Sequence, residues 1–134
     1  MKRMKIIFIL SIIFIVVYFT WSFIEIRNLQ TDNVEKENVK KLAIKTIESI
    51  HLGDTEFLNT ISETDKIKNI LLERMAILKN SKYDNIEVME IRAEKRNIYM
   101  VVVFFSSDIY NYLEYTFRFK KIDNKWMIVD FEIF

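Results

Sequence analysis

The sequence predicts an α+β protein: an N-terminal transmembrane helix followed by three helical segments packed on a curved four-stranded antiparallel sheet. Three observations predict it. An uncharged stretch of nineteen residues runs from Ile6 to Ile24. Beyond it, apolar residues recur every three or four positions as far as Asn80, the period of a half-buried helix. From Tyr83 the period falls to two, and turn residues punctuate four strand-length segments.

The first segment sets the topology. Met1-Lys2-Arg3-Met4-Lys5 carries three positive charges, and only Ser11, Thr20 and Ser22 interrupt the apolar run behind it. At 1.5 Å per residue the run spans roughly 28 Å, close to the hydrocarbon thickness of a bilayer. A cleaved signal peptide is the competing reading. Its apolar region would be shorter and would end in a small-x-small site, whereas Thr20-Trp21-Ser22 is a poor one and no Ala precedes Ala43. Residues 1–24 are therefore expected to be a basic cytoplasmic head and an uncleaved anchor. Lys2, Arg3 and Lys5 precede the span while Glu25 and Arg27 after it cancel, which places the C-terminal part outside the cytoplasm.

Residues 25–31 read as a short juxtamembrane connector, and residues 32–134 as one α+β domain. Asp32 with Glu35 opens a first helix whose apolar stripe is Val39, Leu42, Ala43, Thr46, Ile47 and Ile50. Gly53, the single glycine, ends it in the left-handed conformation. Asp54 or Thr55 caps a short helix bearing Phe57, Leu58 and Ile61. Ser62 with Asp65 opens another, with Ile67, Ile70, Leu71, Met75 and Leu78 inward and Asn80-Ser81 at its end.

In the first strand the apolar parity slips from Ile86 and Val88 to Met89, Ile91 and Ala93, which predicts a β-bulge at Val88-Met89. Ile98 to Phe105 is an unbroken apolar run, expected to be a central strand buried on both faces. Leu113, Tyr115, Phe117 and Phe119 alternate with polar residues. The last strand places Met127, Val129, Phe131 and Ile133 on one face and Trp126, Ile128, Asp130 and Glu132 on the other.

Composition narrows function. Residues 25–134 hold seventeen basic and nineteen acidic residues, a balance that does not favour nucleic acid as a partner. With no cysteine there is no disulfide framework, and with one histidine no motif for a metal or other cofactor is present. That histidine, His51, sits on the last turn of the first helix, where it suits the helix dipole. Ser106, Ser107 and Asp108 have residue types of a nucleophile system but no glycine-flanked elbow, and they fit ordinary turn chemistry.

Ile47-Glu48-Ser49-Ile50-His51-Leu52-Gly53-Asp54-Thr55-Glu56-Phe57-Leu58 and the closing Asp123-Asn124-Lys125-Trp126-Met127-Ile128-Val129-Asp130-Phe131 resemble a minimal cystatin-like domain of the nuclear-transport-factor-two-like superfamily. The first is similar to the Gly-Asp that ends the leading helix in those families, the second to their final hairpin. The layout of one span and one such domain also resembles the bridging subunits of type IV secretion and conjugation systems, which self-associate. That resemblance implies a protein partner or homodimer rather than an enzyme. The superfamily's other use, a cone-shaped pocket for a small hydrophobic ligand with isomerase- or dehydratase-like chemistry, would draw on Asp108, Tyr110, Tyr112 and Tyr115. If instead the apolar surplus of the sheet is an interface, its candidates are Tyr99, Val101, Val103, Phe105, Trp126 and Ile128. The expectation is a single-pass cell-membrane protein with an extracytoplasmic, non-catalytic interaction domain.

Overall fold

The computed structural model describes residues 2–134, with side chains at Ile7 and from Ile9 onward. The elements follow the order α1 (Lys2–Leu52), α2 (Thr55–Ile61), α3 (Asp65–Leu78), β1 (Tyr83–Lys95), β2 (Ile98–Ser107), β3 (Leu113–Ile122) and β4 (Lys125–Ile133). The chain divides into two compact units, Met1–Glu35 and Lys36–Phe134.

The first unit is wholly helical where described, and it is long and apolar enough to cross a membrane. Its described apolar side chains are bare: Phe14 is 74% and Trp21 72% exposed. The basic head Lys2, Arg3 and Lys5 lies outside the described side chains. Residues 25–31 correct the expected helix start at Asp32, since they are helical too. They hold no Gly or Pro, and propagating a helix costs less than ending one and nucleating another, each end leaving four backbone groups unpaired.

In the second unit, one face of α1 enters the core through Val39, Ala43, Ile47 and Ile50. Gly53 ends the helix at φ +75°, a conformation that strains any residue with a Cβ. Asp54 caps α2 by accepting from the Phe57 N–H at 3.0 Å. Thr64, rather than the expected Ser62, caps α3. Ser62 instead donates to the Leu58 carbonyl and bridges to Ile128, so this linker lies along the β4 edge. Ile67, Leu71 and Leu78 of α3 are buried.

The four strands form one antiparallel sheet in the order β1-β2-β3-β4. The core face carries Tyr99, Val101, Val103 and Phe105 of β2 and Leu113, Tyr115, Phe117 and Phe119 of β3. Phe117 is at the centre of an aromatic cluster: its ring stacks on Phe131 at 4.9 Å and lies 5.9 Å from Phe119 and 6.2 Å from Tyr115.

Bulges decide which residues face this core. In β1 the register shifts between Val88 and Glu90, which leaves Met89 as the extra residue, 52% exposed, while Val88 and Ile91 pack on the core. In β4 a bulge corrects the expected alternation. Arg118 pairs with Asp130 but Phe119 pairs with Ile128, so Val129 is the inserted residue. The core side is therefore Trp126 and Ile128 before the bulge and Phe131 and Ile133 after it. A strict period of two cannot represent that switch.

Candidate functional site

Two regions concentrate side chains whose chemistry the fold leaves unexplained. One lies inside the domain, the other on the outer face of the sheet.

Inside, His51 is only 3% exposed although it sits on the last turn of α1. Its Nδ1 lies 2.9 Å from the Ile47 carbonyl, which can only accept, so Nδ1 donates that hydrogen bond. The ring packs 4.6 Å from Tyr83 and 5.6 Å from Phe105. Phe105 in turn meets Tyr115 edge-on at 4.8 Å. His51 Nε2 and Tyr115 Oη are buried with no hydrogen-bond partner in the protein. Orphaned polar atoms in a core are uncommon and call for a cause. Burial pushes the Tyr115 phenol up to about 12; Arg74 opposes that shift and Tyr110 adds to it. Burial also raises Tyr83, with Glu48 adding to the shift.

The unfolded Tyr115 phenol ionises near 10 and the folded one near 12, so above pH 10 the unfolded state sheds its proton first. Stability from this residue is complete below pH 10 and falls through pH 12, by up to about 2–3 kcal/mol. Tyr115→Phe is expected to be neutral or stabilising at pH 7, since it deletes an unpaired hydroxyl. It should also flatten the alkaline decline. Urea midpoints of both proteins at pH 8 and pH 11 check this, the lysines cancelling in the difference.

Of the other residues expected around a ligand, Asp108 and Tyr110 lie exposed in the β2–β3 connection. The Asp108 N–H donates to the Lys82 carbonyl, and Ser107 Oγ accepts from the amides of Ile109 and Tyr110, so these residues build a turn. Tyr112 is 60% exposed and rests on Phe104 at 5.1 Å, on the side of the sheet away from the core. Only Tyr115 enters the interior, so the four do not converge.

The six interface candidates are core-facing. Val101, Val103 and Ile128 are fully buried, Phe105 and Tyr99 nearly so, and half-buried Trp126 meets Tyr99 edge-on at 5.5 Å. The outward set is Met100, Val102 and Phe104. Met100 is covered, with Arg92 Nη2 3.6 Å from its sulfur. Arg118 bonds Asp130 at 2.7 Å and Glu94 at 3.1 Å, with Glu132 at 3.4 Å. Burial pulls this guanidinium down, but those three carboxylates outweigh it and hold it above its usual range. The domain's own charged side chains thus cover the Met100 end. The Phe104 end keeps its aromatic pair open, with Glu87 and Glu114 directly opposite Phe104 on the two neighbouring strands. Periodicity alone could not reveal this constellation, because Tyr112 reaches Phe104 from outside either strand.

Among solved structures, the chain is similar to a Campylobacter jejuni protein named for NTF2-like transpeptidases, at 20% identity and a TM-score of 0.55, covering 68% of this chain and 96% of that one. The fold is NTF2-like. An NTF2 design agrees at 13% identity and a TM-score of 0.59, covering 75% of this chain and 99% of the design. So does a Bacteroides ovatus protein of the DUF4783 family, at 12% identity and a TM-score of 0.51, covering 66% and 89%. No family model matches the chain, and no curated protein matches it in sequence. At these identities the NTF2-like likeness speaks for the fold alone.

Proposed function

We propose that the protein is a single-pass membrane protein whose NTF2-like domain lies outside the cytoplasm and works as a non-catalytic interaction domain. The bare apolar half of α1 carries this reading. Side chains from Ile7 to Leu29 that are half to three-quarters exposed need a hydrocarbon environment, and the basic head preceding them favours the cytoplasm. The bridging subunits of type IV secretion systems share this layout of one span and one domain, which supports an assembly role. Against catalysis stand the lack of cysteine and a single histidine buried under Tyr83 and Phe105.

Crosslinking in intact membranes, followed by the mass of the purified species, tests the reading. A stoichiometric protein partner or a discrete dimer is the expected result. A monomer that carries only a small molecule would contradict it.

That contrary outcome has one observation in its favour. The unpaired His51 Nε2 and Tyr115 Oη flank Phe105, and they are the two buried polar atoms that such a molecule would have to reach.

A further inference from the structure

We propose that the outer face of the sheet docks a basic segment of a partner protein, with a Lys or Arg side chain seated on the Phe104–Tyr112 ring pair between Glu87 and Glu114. This rests on the reading of the domain as an interaction module and names the chemistry of what it binds.

Charge complementarity selects the partner. Arg92 pairs with Glu90 and Glu94, and Arg118 with Glu94, Asp130 and Glu132. The two guanidiniums are thereby engaged by four carboxylates. Glu87 and Glu114 take part in no ion pair among the described residues. They stand on β1 and β3 at the level of Phe104, so two carboxylates bracket one half-buried ring from opposite sides. Tyr112 lies across that ring at 55°, 5.1 Å between centroids. Burial lifts the Tyr112 phenol above its usual range, and Glu114 and Glu87 add to the shift, so both carboxylates act on that ring. Phe134 joins the site from the side, its backbone exchanging two hydrogen bonds with Glu114, and the residue is 70% exposed.

Aromatic faces beside carboxylates attract a cation through the ring quadrupole and through direct charge. Around the site the exposed Tyr112 and Phe134 supply apolar area for the stem of a long basic side chain. A second copy of this chain is a poor occupant, because a two-fold contact would bring this acidic patch against itself.

The test uses the full-length protein in nanodiscs of zwitterionic lipid. The probe is a fluorescent octapeptide of alternating Lys and Thr with one central Val, read by anisotropy at low salt. Saturable binding is expected, and the same peptide with Glu for each Lys should not bind. Glu87→Gln with Glu114→Gln should weaken binding about tenfold, and Tyr112→Ala about fivefold, while Tyr112→Phe keeps most of it. Glu56→Gln with Glu73→Gln removes the same charge from exposed helix positions and should change nothing. Thermal melts of the four variants should match the parent, since every replaced side chain lies off the core face. Equal binding by the Glu87/Glu114 variant, equal loss in the helix control, or equal binding of the acidic peptide would overturn the proposal. Its failure is separable from that of the interaction reading: crosslinking to a protein partner while the basic peptide ignores this face removes the docking site alone.

Discussion

Two lysines in the middle of the apolar run, Ile13→Lys with Val16→Lys, are expected to remove the protein from carbonate-washed membranes. Each charge at the centre of a span costs about 2.5–3.5 kcal/mol on insertion scales, so the pair costs roughly 5–7 kcal/mol. Both side chains are more than half exposed. Snorkelling cannot rescue both, because each lies several residues from either end of the run. Ile13→Leu with Val16→Leu keeps the hydropathy and should leave membrane retention unchanged. Retention of the double lysine protein at the parental level would mean that this helix does not hold the chain in lipid.

The second large effect lies in the domain. Phe117→Ala should destabilise it by about 3–5 kcal/mol, the range for deleting a buried aromatic ring. Phe117 is fully buried, and its stacking partner Phe131 would lose one face of its contact. A domain of this size, without disulfides, has about 5–15 kcal/mol in total, so the variant should be close to unfolding at 37 °C. Urea titration of the full chain in detergent, followed by domain fluorescence, reads the change as a fallen midpoint. Phe117→Leu should fall much less, because most of the volume is kept. An unaltered midpoint in Phe117→Ala would mean that the sheet and helices do not share the core described above.

Patterns carried by single elements were legible from the sequence. The stripes of α1 and α3 and the alternation of Leu113, Tyr115, Phe117 and Phe119 needed only a period and a direction. So did the slip at Val88-Met89, where two apolar neighbours forced a change of parity. The Val129 bulge was hidden because Met127, Val129, Phe131 and Ile133 alternate without a break. Nothing local signals that the partner strand skips a residue. Helix through residues 25–31 was missed for a related reason: Asp32 and Glu35 make a plausible cap, but a helix already running needs none.

The candidate sites were less legible, since each is assembled from distant segments. Residue type alone points to Tyr115, and position on the last turn of a helix gives His51 a role toward the dipole without revealing its burial. That His51 lies beneath Tyr83 and Phe105 depends on how β1 and β2 meet α1. The parity of β2 left open which set faces out. The structure puts Val101 and Val103 inside, and it covers Met100 with Arg92 while leaving Phe104 to Tyr112.

Site-directed thiol labelling reads whether one span separates a cytoplasmic head from an extracytoplasmic domain. The chain has no cysteine, so a single introduced thiol gives an unambiguous signal. Lys2→Cys and Asn59→Cys, the latter exposed on α2, are treated in intact cells with a membrane-impermeant maleimide. Labelling is expected at residue 59, with protection at residue 2 until the membrane is opened. Labelling at residue 2 with protection at residue 59 would put the domain in the cytoplasm and overturn the proposed topology.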